Sequence, residues 1–148
     1  MTANRVKFTV VNQNAFDAKI KKQGENVLKN LVKAVRVATT ETRNVAVTSI
    51  LNNARSGAST TRYSPTRTIN ISSPGDAPAG DTGFLASNIH LIISGNGLEG
   101  EVQSRADYSA ALEFGTRDMA ARPFLQPALE QGKNKYKRLF SKAVKDGI

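Results

Sequence analysis

One segment, residues 108–128, constrains the fold of this chain most, because it combines a helix stop with a helix start. Tyr108 and Phe114 share roughly one helical face, and Gly115 suits the left-handed position that ends many helices. Pro123 fits the first position of a new helix, where its missing N–H costs nothing. The segment therefore predicts two helices that meet at a rigid turn, which we call the elbow (residues 108–128).

The elbow also contains the candidate interaction residues of the chain. Its expected anchors to the core are Phe114, Gly115, Thr116, Pro123, Phe124, Leu125 and Pro127. Glu113 has two alternatives: it accepts hydrogen bonds from the backbone or from an arginine of its own chain, or it pairs with an arginine of a neighbouring subunit. On the second alternative, the contact between subunits consists of Glu113, Arg117, Arg122 and Tyr108.

Two periodic patterns precede the elbow in the N-terminal third of the chain. Residues 5–11 alternate between apolar and polar side chains, which predicts a half-buried strand. From about residue 15 to about residue 54, apolar positions recur in steps of three, four or seven, which predicts one long helix. That stripe consists of Ile20, Val27, Leu31, Val35, Ala38, Thr42, Val45 and Ser49. Because Gly24 and many β-branched residues lower helix propensity, packing of the stripe must stabilise this helix.

The middle of the chain reads as a polar loop followed by a β-hairpin. Residues 56–82 are rich in Ser, Thr, Gly and Pro and predict a long flexible loop, with room for a short strand at 68–72. Residues 86–93 predict a strand, and the run Gly95-Asn96-Gly97 predicts a tight turn. The returning strand, residues 98–104, alternates between a polar and an apolar face.

A last helix is predicted from Pro123 to about Val144. The order of elements predicts a single α+β domain over residues 1–148. In it, a small antiparallel β-sheet packs with a long N-terminal helix and a C-terminal helix, and the long polar loop lies between them.

Two motifs in this order resemble a known family. The runs Glu113-Phe114-Gly115-Thr116, Ala121-Arg122-Pro123-Phe124 and Pro127-Ala128 resemble the EFGT, ARPF and PA signature of the gene-ten-like tail-component proteins of tailed double-stranded DNA phages. These are also described as tail-completion or head-to-tail connector proteins. The run from Asp81 to Ile89 resembles the second marker of the family, Thr-Gly-x-Leu followed by Ser-Ile, although Asn88 intervenes here. The resemblance covers the chain from about residue 15 onward, and the long polar insert before Asp81 departs from the family pattern.

The resemblance implies a structural virion protein rather than an enzyme. It implies a ring of identical subunits, six in number, at the neck of the virion. The expected partners are the portal, adaptor or head-completion protein on one side and the tail tube or terminator protein on the other. Double-stranded DNA passes through the ring without sequence-specific contact. The expected location is the virion neck or tail, and the host cytoplasm during assembly.

The charge of the chain supports a second hypothesis, a basic nucleic-acid-binding module. The net charge is +9, and the basic residues lie mostly in the terminal regions: ten Lys/Arg against three Asp/Glu in residues 1–55, and six against two in residues 123–148. Such surfaces attract polyanions such as DNA or acidic proteins, but solvated helix faces have the same composition. The candidate contacts are Lys19, Lys21, Lys22, Lys29, Lys33, Lys133, Lys135 and Lys137.

The sequence offers no recognisable catalytic, metal or cofactor site. His90 is the single histidine and cysteine is absent, so a transition-metal site or a thiolate nucleophile is not expected. Glu99 and Glu101 lie on one strand face and are read as solvated residues rather than as paired acids. No apolar run reaches the roughly 20 residues of a membrane span. We therefore expect no enzyme activity, no cofactor and no membrane partner.

Overall fold

The computed structural model describes residues 4–9, 14, 17, 24–52, 56–63 and 65–147. Its elements are β1 (Asn4–Thr9), α1 (Glu25–Leu51), β2 (Ser59–Tyr63), β3 (Thr66–Asn70), α2 (Phe84–Ser87), β4 (Ile89–Ile93), β5 (Glu99–Ser104), α3 (Ser109–Phe114) and α4 (Leu125–Lys145). β1, β5 and β4 form an antiparallel sheet in that order, and α1 packs against both α4 and the sheet. The predicted α+β class, with a small antiparallel sheet and two long helices, is confirmed.

The predicted long helix is interrupted just before Glu25, where α1 begins. Gly24 precedes it with φ at 91°, outside the helical range, so the predicted helix is not continuous through this residue. The predicted start near Ala15 and the predicted end near Ala54 lie outside the described residues. The apolar stripe is confirmed from Val27 to Thr42, where its members are buried, and it continues through Ala46 and Ile50 rather than through the predicted Val45 and Ser49.

The sheet follows the predicted alternation along β5. Gly100, Val102 and Ser104 are buried, whereas the residues between them are only partly buried. The side chain of Thr39 in α1 lies so close to Gly100 that a Cβ atom at residue 100 would collide with it. The helix therefore lies directly on the sheet at this point. The predicted tight turn joins β4 to β5, and its Gly97 N–H donates to the Ser94 carbonyl over 2.9 Å.

The strand predicted to begin at Ala86 begins at Ile89 instead, because residues 84–87 form the short helix α2. Gly83 precedes α2 in the left-handed conformation. The Asn88 side-chain nitrogen Nδ2 donates to the Phe84 carbonyl over 2.8 Å and closes the helical turn. Because this local hydrogen bonding favours a helical turn over an extended chain, the strand begins only at Ile89.

The predicted loop 56–82 contains a second, two-stranded sheet, the β2–β3 hairpin, so the prediction of an irregular loop is wrong there. Thr61 pairs with Thr68, and Ser59 with Asn70. The short strand predicted at 68–72 lies at 66–70. Most hairpin side chains are exposed, so no apolar face marked the strands in the sequence.

The core consists of two clusters. The larger one joins α1, the sheet and the start of α4, and its largest members are Ile50, Leu85, Ile89, Val102, Phe124 and Leu125. The smaller one joins the first half of α1 to the end of α4 and contains Val27, Leu31, Ala34, Leu98 and Ala143. None of the helices in the described ranges combines the length and the apolar character that a membrane span requires.

Candidate assembly surface

The first half of the elbow is the six-residue helix α3, which ends at Gly115 as predicted. Gly115 has φ at 75° and ψ at 178°, so it takes an extended conformation with positive φ rather than the left-handed helical one that the sequence suggested. A Cβ atom here would lie 2.8 Å from the Met119 carbonyl oxygen and 2.9 Å from the Ala121 nitrogen. Both the backbone conformation and the space around it therefore require glycine.

Glu113 connects the two halves of the elbow. Its carboxylate accepts hydrogen bonds from the backbone N–H groups of Phe124 at 2.9 Å, Leu125 at 3.0 Å and Gln126 at 2.8 Å. These groups belong to the first turn of α4, where N–H groups have no partner inside the helix and where the helix dipole favours a negative charge. The side chain of Glu113 therefore caps a helix that starts twelve residues later.

This contact corrects two expectations. Glu113 is only 6 % exposed and its carboxylate accepts backbone N–H groups of its own chain, so the first of its two alternatives is realised with backbone donors. Pro123 is not the first residue of α4, because Phe124 occupies the N-cap and the helix starts at Leu125. Pro123 lies one residue before the N-cap and has no N–H group of its own. The N–H groups of the next three residues all donate to the Glu113 carboxylate.

The two phenylalanines of the elbow have opposite environments. Phe124 is 1 % exposed and lies in the larger core cluster with Leu125, as expected for anchors. Phe114 is 75 % exposed, so its predicted role as a core anchor is wrong. Phe114 follows the buried Glu113 directly on a short helix, and this places the ring on the side of α3 that faces solvent.

Arg122 joins the elbow to the segment after the hairpin. Its Nε donates to the Ser72 carbonyl over 3.2 Å, and its backbone N–H donates to the Leu112 carbonyl. Arg122 is thus partly buried and forms hydrogen bonds within its own chain, whereas Arg117 is exposed. Thr116 shapes the turn between them by accepting the Asp118 N–H at its hydroxyl oxygen over 3.3 Å.

A cleft of about 820 Å³ separates the β2–β3 hairpin from the elbow. Three aromatic side chains on its walls are largely exposed: Tyr63, Phe84 and Tyr108. The rings of Phe84 and Tyr108 lie 6.3 Å apart in a tilted arrangement, and partial burial raises the pKa of the Tyr108 hydroxyl. Leu112, Met119 and Arg122 of the elbow also line this cleft.

An ion pair holds the hairpin beside the cleft. Arg67 Nη2 lies 2.8 Å from both carboxylate oxygens of Asp81, and Arg62 approaches the same carboxylate at 3.9 Å. Sequence reasoning did not single out Tyr63, Phe84 or this ion pair, because each acts across elements that are distant along the chain. The polar composition of residues 56–82 carried no signal for Tyr63 or for the ion pair.

The predicted basic contacts divide into three groups. Lys19, Lys21 and Lys22 lie outside the described residues. Lys135 pairs with Glu41 of α1 at 2.7 Å, a contact that raises the pKa of Lys135, and Lys133 pairs with Glu130 at 3.3 Å. Lys29, Lys33 and Lys137 are exposed. Of the five predicted cations that the structure describes, two are thus partly neutralised by carboxylates of their own chain.

Across the described ranges, no group of His, Cys, Asp and Glu side chains has the arrangement of a metal site. Comparisons with models of protein families, with curated proteins and with solved structures find no match for this chain. The geometry of the elbow and the cleft must therefore carry the functional argument.

Proposed function

We propose that this chain is a structural subunit of a phage neck, where copies of it form a ring that completes or joins the tail to the head. The observation that carries the proposal is spatial. The two marker segments of the family resemblance are separate in the sequence, but residues 81–86 of the first and Tyr108, Leu112, Met119 and Arg122 of the second line one cleft together. Within the second segment, the Glu113 of one motif caps the helix that follows the Arg122-Pro123 of the other.

The exposed aromatic side chains support a role in assembly. Tyr63, Phe84 and Tyr108 line the cleft, Phe114 follows Tyr108 at the other end of α3, and each of the four is at least 46 % exposed. Aromatic side chains are enriched at protein interfaces because they bury a large area at a small cost in conformational entropy. A ring of identical subunits needs such surfaces and needs no catalytic group.

The proposed mechanism is mechanical. After DNA packaging, the ring occupies the neck between the portal, adaptor or head-completion protein and the tail tube or terminator protein. The six-membered ring implied by the family resemblance leaves a conduit through which double-stranded DNA leaves the head. Contact with DNA is non-specific and involves exposed lysines such as Lys29, Lys33 and Lys137.

Deletion of the coding sequence from a phage that encodes this chain tests the proposal. We expect filled heads and separate tails to accumulate, and we expect the chain supplied from a plasmid to restore joined particles. Electron microscopy of the lysate reads out both results. Normal, infectious particles without the chain would contradict the proposal.

A further inference from the structure

The order β1-β5-β4 makes β4 an outer strand of the main sheet, and hydrogen bonds at its two ends show how its backbone is oriented. At one end, the Ser94 N–H donates to the Glu99 carbonyl over 3.0 Å; at the other, the Arg105 N–H donates to the Asn88 carbonyl over 2.9 Å. Peptide groups alternate in direction along an antiparallel strand. The residues an even number of positions from Ser94 therefore face β5, and the others face outward.

Leu91 and Ile93 are two of the outward-facing residues of β4. Within the ranges that the structure describes, their N–H and carbonyl groups have no hydrogen-bond partner on the outer side. Leu91 is 40 % exposed and Ile92 is 41 % exposed, so both faces of the edge present apolar surface. The strand contains no lysine, acidic residue or proline, which are the residues that usually protect an edge from pairing.

β1 is the opposite edge of the same sheet. It pairs with β5 through Val6 opposite Val102 and Phe8 opposite Gly100, and by the same alternation these two β1 residues face β5. The backbone of Lys7 therefore faces outward. Each copy of the chain thus carries two different sheet edges, one uncharged and one basic.

The directions of the two edges suit a ring. β1 and β4 are both antiparallel to β5, so they run in the same direction. In a six-membered ring, neighbouring subunits are related by a rotation much smaller than a half-turn, so β4 of one copy beside β1 of the next is a parallel pair. A residue of a parallel pair bonds to the two residues that flank the residue opposite it. When Leu91 lies opposite Val6 of the next copy, its N–H and carbonyl groups therefore bond to the residues on either side of Val6, whose backbone groups face outward. The apolar face of the sheet then continues from one copy to the next.

Charge does not separate this pairing from the two symmetric ones. Lys7 pairs with Glu99 of its own chain at 3.6 Å, and Arg43 of α1 donates through Nε to the Ile89 carbonyl at the β4 edge over 3.2 Å. What favours the pairing of β4 with β1 is its head-to-tail character: a contact between two different edges can repeat around a ring, whereas a contact between two identical edges joins only two copies.

We infer that copies of this chain join by pairing the β4 edge of one copy in parallel with the β1 edge of the next, so that the main sheet continues from subunit to subunit. The inference rests on the proposed ring and names the contact that closes it. The occupant of the β4 edge is a second copy of the chain, and its main specificity comes from backbone hydrogen bonds.

Cysteine crosslinking tests this contact directly, because the chain contains no cysteine of its own. The variant carrying Lys7→Cys and Ile92→Cys places thiols on the same face of the two edges. Within one copy these positions are separated by β5, about 10 Å apart, so they cannot form a disulfide. On mild oxidation of the concentrated protein we expect a ladder of disulfide-linked oligomers that ends in one closed species on a non-reducing gel.

Three controls separate the alternatives. Each single variant, Lys7→Cys or Ile92→Cys, reports a symmetric pairing by forming a dimer, and the pair Ile92→Cys with Lys137→Cys reports random collision. We expect at least tenfold slower crosslinking in all three. Circular dichroism checks that each variant is folded.

The possible results distinguish a failure of the edge contact from a failure of the proposed function. Rapid dimerisation of Ile92→Cys alone overturns the parallel pairing in favour of two β4 edges. If the double variant forms no ladder while native mass spectrometry of the unmodified chain shows a closed oligomer, the edge contact is wrong and the ring stands. If the unmodified chain is monomeric at every concentration and no variant crosslinks, both are contradicted.

Discussion

The elbow and the β2–β3 hairpin are both attached to the rest of the molecule through a carboxylate, but the two carboxylates lie in different environments. Glu113 is buried and accepts three backbone N–H groups at the start of α4. Asp81 pairs with Arg67 at the surface, where its side chain keeps 24 % of its accessible area. Water can replace the partner of Asp81 but has little access to the donors that Glu113 satisfies. The elbow is therefore part of the fold, whereas the hairpin is an attached element.

Among the contacts that attach these two regions, the largest expected effect comes from removing the buried carboxylate. Glu113→Ala leaves three N–H groups of the first turn of α4 without an acceptor, and we expect it to lower the free energy of unfolding by about 3 kcal/mol. Glu113→Gln keeps one acceptor oxygen and should cost about half as much. Urea denaturation followed by circular dichroism measures both. A change below about 0.5 kcal/mol in the alanine variant would show that the cap contributes little.

Gly115→Ala destabilises the same region by straining its backbone. Alanine at φ 75° and ψ 178° is strained, and its Cβ would press on the Met119 carbonyl, so we expect a loss of about 2 kcal/mol. Gly95→Ala is the matched control, because a Cβ there meets open space and should change stability by less than about 0.5 kcal/mol. Equal stability of the two variants in thermal denaturation would mean that the turn can relax.

At the hairpin, Arg67→Ala should cost less than about 1 kcal/mol, because the ion pair with Asp81 lies at the surface. The local effect is larger than the global one. We expect the amides of β2 and β3 to exchange hydrogen several times faster, while those of α4 keep their rates. Arg62→Ala, which removes the longer 3.9 Å contact, should leave both rates nearly unchanged. Uniformly faster exchange across the whole chain would show that the hairpin is part of the cooperative core.

The smallest effect on stability is expected at Phe114. Because its ring is 75 % exposed, Phe114→Ser should change the free energy of unfolding by less than about 0.5 kcal/mol, while it reduces the incorporation of the chain into particles. Phe124→Ala is the contrast within the same segment and should cost at least about 3 kcal/mol. A serine variant that unfolds, or that assembles as well as the unchanged chain, would contradict the role assigned to this surface.

The sequence predicted those features that depend on local periodicity or turn chemistry. The stripe from Val27 to Thr42, the alternation along β5 and the turn at Gly95–Gly97 are of this kind. Each is decided by residues that are close together in the chain, so the pattern and the structure agree.

The features that the sequence did not predict depend on tertiary contacts. A six-residue helix is too short for its buried face to be read from spacing, so Phe114 was wrongly expected in the core and the two alternatives for Glu113 stayed open. The hairpin 59–70 lacks an apolar face, and the Arg67 contact that holds it spans fourteen residues. The break at Gly24 shows that one glycine can interrupt a stripe whose periodicity continues.

Cryo-electron microscopy of intact particles of a phage that encodes this chain tests the central claim most directly. We predict a closed ring at the neck into which the α+β fold fits, with Glu113 buried inside each subunit and Phe114 in contact with another chain. Neck density that this fold does not fit, or particles from which the chain is absent, would contradict the account.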